Sequence, residues 1–198
     1  MSKEFWNKVF SEKEFAYGVK PNKFFESELK KLIPGKILLP AEGEGRNAVF
    51  AASLGWDVTA FDTSDQAKTK ALQLSSEYNL SINYLICSLE EVEIYRNQYD
   101  AIGLSYVHPS PALRKVFHNT CTELLKPGGK LIFEGFSKEQ LNFNSGGPKD
   151  YEFLFSEEDL KADFEKMSSL ETEQKLVVLD EGKYHQGKAS VIRVTGTK

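Results

Sequence analysis

The chain has no apolar run approaching the ~18 residues a membrane-spanning helix needs, so no span is expected. Nor does it have an excess of basic residues: 25 Lys and Arg stand against 29 Asp and Glu, a formal net charge of −4. The basic residues are scattered and form no stripe, which argues against nucleic acid as a partner. Cysteine is scarce. Cys87 and Cys121 show no CxxC spacing and lie in apolar surroundings, which predicts two buried free thiols and no disulfide framework. No His, Cys, Asp and Glu cluster has metal-ligand spacing, and no Gly-Lys-Ser/Thr marks a P-loop. Repeats, low-complexity runs and interdomain linkers are absent too. Without a signal-peptide pattern, a soluble, cytoplasmic protein is expected. The 198 residues suit one domain with a proper core.

What the chain does contain is an alternation of strand and helix signals. Residues 3–10 suggest an amphipathic helix, and Phe24, Phe25, Leu29 and Leu32 recur at helical spacing until Pro34-Gly35. Strands are expected at 36–40, 57–62, 82–86, 99–104 and 130–134, and helices from Ala48, over 64–78 with Ser64 as N-cap, and over 112–125. Ser156 and Asp159 resemble a capping box with Asp in place of Glu. Leu176 to Leu179 and Ala189 to Val194 read as a hairpin around a longish loop, 181–188. The pattern predicts an α/β fold, a Rossmann-like doubly wound sheet that is mostly parallel and closes with an antiparallel hairpin.

Chemistry concentrates where the first strand breaks into Ala41-Glu42-Gly43-Glu44-Gly45-Arg46-Asn47. The second strand ends on Asp62, 62 − 43 = 19 residues after Gly43. In a βαβ unit that spacing brings a carboxylate beside the loop, where it can accept both hydroxyls of a ribose. The glycines let the backbone approach a ligand closely. Glu42 and Glu44 would repel a diphosphate but suit a ligand carrying a sulfonium and an ammonium. S-adenosylmethionine is therefore favoured over NAD.

Three further segments complete a pattern. Together with this loop and acid, Tyr99-Asp100-Ala101-Ile102, Leu124-Leu125-Lys126-Pro127-Gly128-Gly129-Lys130-Leu131 and the closing hairpin look like class I S-adenosylmethionine-dependent methyltransferases. Phe5-Trp6-Asn7, Tyr17-Gly18, Pro21-Asn22 and Gly45-Arg46-Asn47 are similar to the small tellurite-resistance and thiopurine-type members. The resemblance covers nearly the whole chain and implies a seven-stranded sheet. Two positions depart from the family pattern: Leu39 stands where an acid is usual, and Ala41 where a glycine is. Alanine is tolerable there if it keeps φ < 0, and Glu42 or Glu44 could supply the partner of the cofactor's amino group.

The cofactor set so expected is Tyr17, Ala41, Glu42, Gly43, Glu44, Gly45, Arg46, Asn47, Asp62, Thr63, Ser64, Ser88, Leu89, Glu90, Ser105 and Tyr106. The resemblance puts Ser88-Leu89-Glu90 on the adenine and Ser105-Tyr106 beside the transferable methyl. His108, just past the fourth strand, is the candidate general base; His118 and His185 are expected to be uninvolved. The chain reads as one domain, 1–198, with segments 1–22 and 137–150 as lids over a small-molecule acceptor such as a thiol or chalcogen oxyanion. A monomer or weak homodimer is expected. The rival readings are a non-enzymatic cofactor-binding module and an NAD(P)-dependent oxidoreductase.

Overall fold

The computed structural model describes residues 2–91 and 98–198. Ile37, Leu38 and Leu39 are consecutive apolar residues buried on both faces, and they make β1 (Lys36–Pro40) a central strand. Parallel to it run β2 (Asp57–Asp62) on one side and β4 (Tyr99–Ser105) on the other. Beyond β2 lies β3 (Asn83–Ile86), and beyond β4 lies β5 (Leu125–Phe136). The hairpin of β6 (Ser169–Glu181) and β7 (His185–Thr197) docks through β7, antiparallel to β5. The seven-stranded order is β3-β2-β1-β4-β5-β7-β6.

Helices cover both faces. On one, α2 (Lys23–Leu29) and α3 (Arg46–Ser53) bring Phe25, Leu29, Ala48 and Ala51 against Ile37, Leu39, Ala60 and Ile132. On the other, α5 (Pro111–Leu124) and α6 (Glu157–Asp163) bury Phe117, Cys121 and Leu160 against Leu104, Phe133 and Ile192. Helix α1 (Lys3–Phe10) leans on α4 (Asp65–Glu77). Because the chain leaves β1 toward β2 and returns to β4 on the other side, the loops after β1 and β4 diverge. A crevice opens there, where doubly wound sheets hold ligands.

Three boundaries differ from expectation. Strand β5 begins at Leu125, because Leu125 pairs with Tyr99, while Gly128 N–H donates to Lys198 O and Lys198 N–H to Gly129 O. The hairpin turn is Gly182-Lys183-Tyr184, since Glu181 already pairs with His185. Strand β6 starts at Ser169, as an edge strand whose mostly exposed side chains need no apolar alternation. Cys121 is buried, but Cys87 is only half-buried. Among the described residues, no helix is long and apolar enough to cross a membrane.

Candidate active site

After β1 the backbone turns left-handed at Ala41 (φ 47°), Gly43 (φ 64°) and Gly45 (φ 87°). The condition under which alanine is tolerated without strain, φ < 0, is not met at Ala41; the left-handed region costs a residue with a Cβ about 1–2 kcal/mol. At Gly45 the requirement is spatial as well, because a Cβ would lie 2.6 Å from the Ala71 Cβ on α4. Gly45 caps α3 without a side chain, so Glu42 supplies the acceptor: its Oε1 takes the N–H groups of Asn47 (2.7 Å) and Ala48 (2.8 Å). Oε2 has only a long contact with Asn47 Nδ2, at 3.4 Å. Burial raises the Glu42 carboxyl to about 7, against the pull of those amides and the Arg46 charge.

Asp62 ends β2 almost fully buried. One oxygen accepts Gly43 N–H (3.1 Å) and the other Ser64 N–H (3.0 Å), which fixes the carboxylate plane, and the Thr63 amide and hydroxyl also act on it. Burial raises its pKa despite those amides. The helix cap is Ser64, whose Oγ accepts from Ala67 N–H and donates to Asn7 Oδ1 of α1. The donor set suits S-adenosylmethionine: a rigid carboxylate for a vicinal diol, a half-committed carboxylate for an ammonium, and a loop that passes close by.

Glu44 is not available in the same way. It accepts Ala16 N–H (2.7 Å) and pairs with Lys70 (2.7 Å), which straps the N-terminal segment over the loop. Phe10 lies over Gly43, and Trp6 stacks on Phe10 at 5.3 Å. Tyr17 is part of this strap; burial drives its hydroxyl up to about 12. Thr63 is half-buried between Asp62 and Ser64. Cys87-Ser88-Leu89 is half-buried past β3, with Glu90 exposed and Ser88 N–H held by Glu91.

The geometry corrects the role given to His108. Its Nδ1 is 2.7 Å from Phe153 O, and its Nε2 accepts Phe136 N–H at 3.2 Å, so both ring nitrogens serve the backbone. Burial lowers its pKa to about 4. A ring with no spare lone pair braces the wall and does not abstract protons. The 137–150 stretch is also bound in place. Gln140 bridges Ser145, Gly146 O and Ser190 N–H, and Ser145 donates to Lys188 O. It is a wall laced to β7, not a free flap.

A cluster that the sequence reading missed stands beside the end of β4. Ser105 is half-buried there, and Tyr106 is left-handed (φ 57°), a strained conformation for a bulky residue. Tyr106 donates its hydroxyl to Glu134 (2.9 Å), which also accepts from Asn22 (2.6 Å) and Arg193 (2.6 Å). Glu181 takes Arg46 at 3.0 Å and His185 Nδ1 at 3.4 Å. Burial works to raise the Glu181 carboxyl, but His185 and Arg46 outweigh it and hold it below its ordinary value. His185, expected in a distal loop, is buried at the start of β7. Glu134 was findable as a charge inside an otherwise apolar central strand. Glu181 and His185 become neighbours only once the turn is known to be short. A cleft of about 260 Å³ adjoins the cluster, lined in part by Lys23, Glu134, Val177, Glu181 and Arg193.

A seven-stranded sheet of this order, with this loop and this acid, is the architecture of the class I S-adenosylmethionine-dependent methyltransferases. The sequence profile of the family described as "Tellurite resistance protein TehB" matches residues 9–194, and the chain belongs to that family. A human relative, the mitochondrial ubiquinone biosynthesis O-methyltransferase, is 34% identical over 121 residues, 59% of this chain. The chain spans a third of that relative's length (33%). The fold is shared with TehB from Haemophilus influenzae (TM-score 0.74, 19% identity, 99% of this chain and 66% of that one). It is shared also with the Burkholderia thailandensis 1,6-didemethyltoxoflavin-N1-methyltransferase, solved with S-adenosylhomocysteine (TM-score 0.66, 16% identity, 89% and 77%).

Proposed function

We propose that the chain, a soluble cytoplasmic enzyme, transfers the methyl group to a small-molecule acceptor in the crevice between β1 and β4. The fixed carboxylate of Asp62 carries this reading: buried at the end of β2 and held by the Gly43 amide of the loop, it stands where the hydroxyls of a ribose would lie. Glu42 Oε2 takes the amino group in place of the acid absent at Leu39, and residues 87–90, with Ser88, Leu89 and Glu90, border the adenine. Gly43, Gly45 and Thr63 shape the edge of the site, and Tyr17 covers the methionine end. Ser105 and Tyr106 lie beside the methyl.

The acceptor enters from the cleft bounded by Lys23 and Arg193. A small acceptor is supported by the names of the relatives, a ubiquinone biosynthesis O-methyltransferase and a 1,6-didemethyltoxoflavin-N1-methyltransferase. The acidic net charge argues against DNA or RNA. Isothermal calorimetry tests the cofactor site. Asp62→Ala should weaken S-adenosylhomocysteine by about 1.5–3 kcal/mol for each charged hydrogen bond lost, and unchanged affinity would remove the ribose assignment.

A further inference from the structure

Four segments that enclose the acceptor side meet on one imidazole. His185 lies 4.5 Å, ring to ring, from Tyr17 of the N-terminal strap and 4.5 Å from Tyr106 at the end of β4. Phe136 at the end of β5 is 5.2 Å away. Gly146 of the 137–150 wall abuts the Cδ2–Nε2 edge, where a Cβ would come within 2.7 Å of Cδ2 and 3.3 Å of Nε2. The other two histidines differ in kind. Both nitrogens of His108 are spent on backbone, and His118 is sealed between α5 and α6 against Asp163. His185 presents Nδ1 to Glu181, and among the described residues no hydrogen bond engages its Nε2.

On the methyltransferase site proposed above, we propose that His185, oriented by Glu181, takes the proton from the acceptor, which is therefore a neutral hydroxyl or thiol compound. The acceptor's oxygen or sulfur forms its bond to the methyl carbon. The carbon–sulfur bond of the sulfonium breaks, and its electron pair stays on sulfur. The acceptor's proton passes to Nε2, and the resulting imidazolium is paired with the Glu181 carboxylate. Positive charge thus moves from sulfonium to imidazolium, and no further reactant is needed. An acceptor that attacks through an existing lone pair and need lose no proton in the step, such as a chalcogen oxyanion, would leave this dyad idle. Glu181 acts through His185 and is a positioning residue.

The test uses the full chain with S-adenosylmethionine and three probes: catechol, dithiothreitol and selenite. The unmodified protein should release S-adenosylhomocysteine with catechol or dithiothreitol. His185→Gln should lower that turnover on the order of 100-fold or more, lose far less with selenite, and lose the acidic limb of the pH profile. The charged and titratable groups facing the ring are Tyr17, Arg46, Tyr106, His108, Glu134 and Glu181. Of these, Glu181 should set the limb: Glu181→Gln should move it to lower pH, because the imidazolium loses its partner. This second variant carries the test if His185→Gln does not fold.

Independently of turnover, ¹⁵N-histidine spectra should show the His185 Nε2 resonance shifting when catechol joins the S-adenosylhomocysteine complex, with His118 unmoved. Full turnover of catechol or dithiothreitol by His185→Gln, an unmoved limb in Glu181→Gln, an unresponsive Nε2 resonance, or no turnover of either protic probe by the unmodified chain overturns the proposal. Failure of the unmodified chain to bind S-adenosylhomocysteine overturns the site itself, and the proposal with it.

Discussion

Glu42 is a carboxyl whose two states pull on the fold in opposite directions. Its folded pKa, about 7, lies above the ordinary 4.5, so the folded protein holds this proton more tightly than the unfolded chain does. Its contribution is fully present below about pH 4.5 and is lost as pH rises through about 7. Replacement by glutamine should keep the helix cap, because Oε1 alone accepts both amides. Denaturant midpoints followed from pH 4.5 to 7.5 should therefore fall less steeply in Glu42→Gln than in the parent. A slope identical to the parent's would show that Glu42 does not titrate in that window. The same substitution should weaken S-adenosylhomocysteine, if Oε2 holds its ammonium. Ala41 and Tyr106, both left-handed without being glycine, mark the two ends of the same crevice, and the strain there supports reading it as functional.

We propose that helix α1 and the strap behind it form a cover that moves. They are fixed mainly by the Glu44 bonds, the Asn7–Ser64 hydrogen bond, the Lys3–Asp65 pair and the Phe10 contact on Gly43. Removing residues 1–18 should leave the sheet folded, by circular dichroism, yet lower turnover at least tenfold, since expulsion of water from the sulfonium depends on closure. Adding S-adenosylhomocysteine should slow amide exchange in residues 2–18, while residues 137–150, already laced to β7, change little. Equal protection of the strap with and without ligand would make it simple packing.

Legibility also divides by element. Strands β1, β2 and β4 were readable because each is an apolar run bounded by turn residues. Of the polar edge strand β6 only Leu176 to Leu179 was readable; the part from Ser169 was not, because its order comes from pairing with β7 and not from its own pattern. Asp62 and the loop could be placed because their spacing is local. The Tyr106–Glu134–Glu181–His185 cluster could not, because it joins β4, β5, β6 and β7 through contacts that no sequence period encodes.

At the scale of the whole molecule, the strand order puts the two proposed ligand sites on two differently built halves. Strands β1 to β4 bring the cofactor residues together. The acceptor wall depends on β7, which is inserted between β5 and β6 and ties β6 to the rest of the sheet. Its short turn makes β6–β7 a self-contained hairpin, able to form first and dock later as a unit, with most of its contacts to β5 spanning long stretches of chain. The order of assembly follows from this: a refolding chain should acquire cofactor affinity before acceptor affinity. Stopped-flow refolding with S-adenosylhomocysteine present should show protection of Asp62 and its loop ahead of His185 and Arg193. Simultaneous protection would mean that both halves form in one step. Until the hairpin docks, the enzyme could hold its reagent but would have nothing to aim it at.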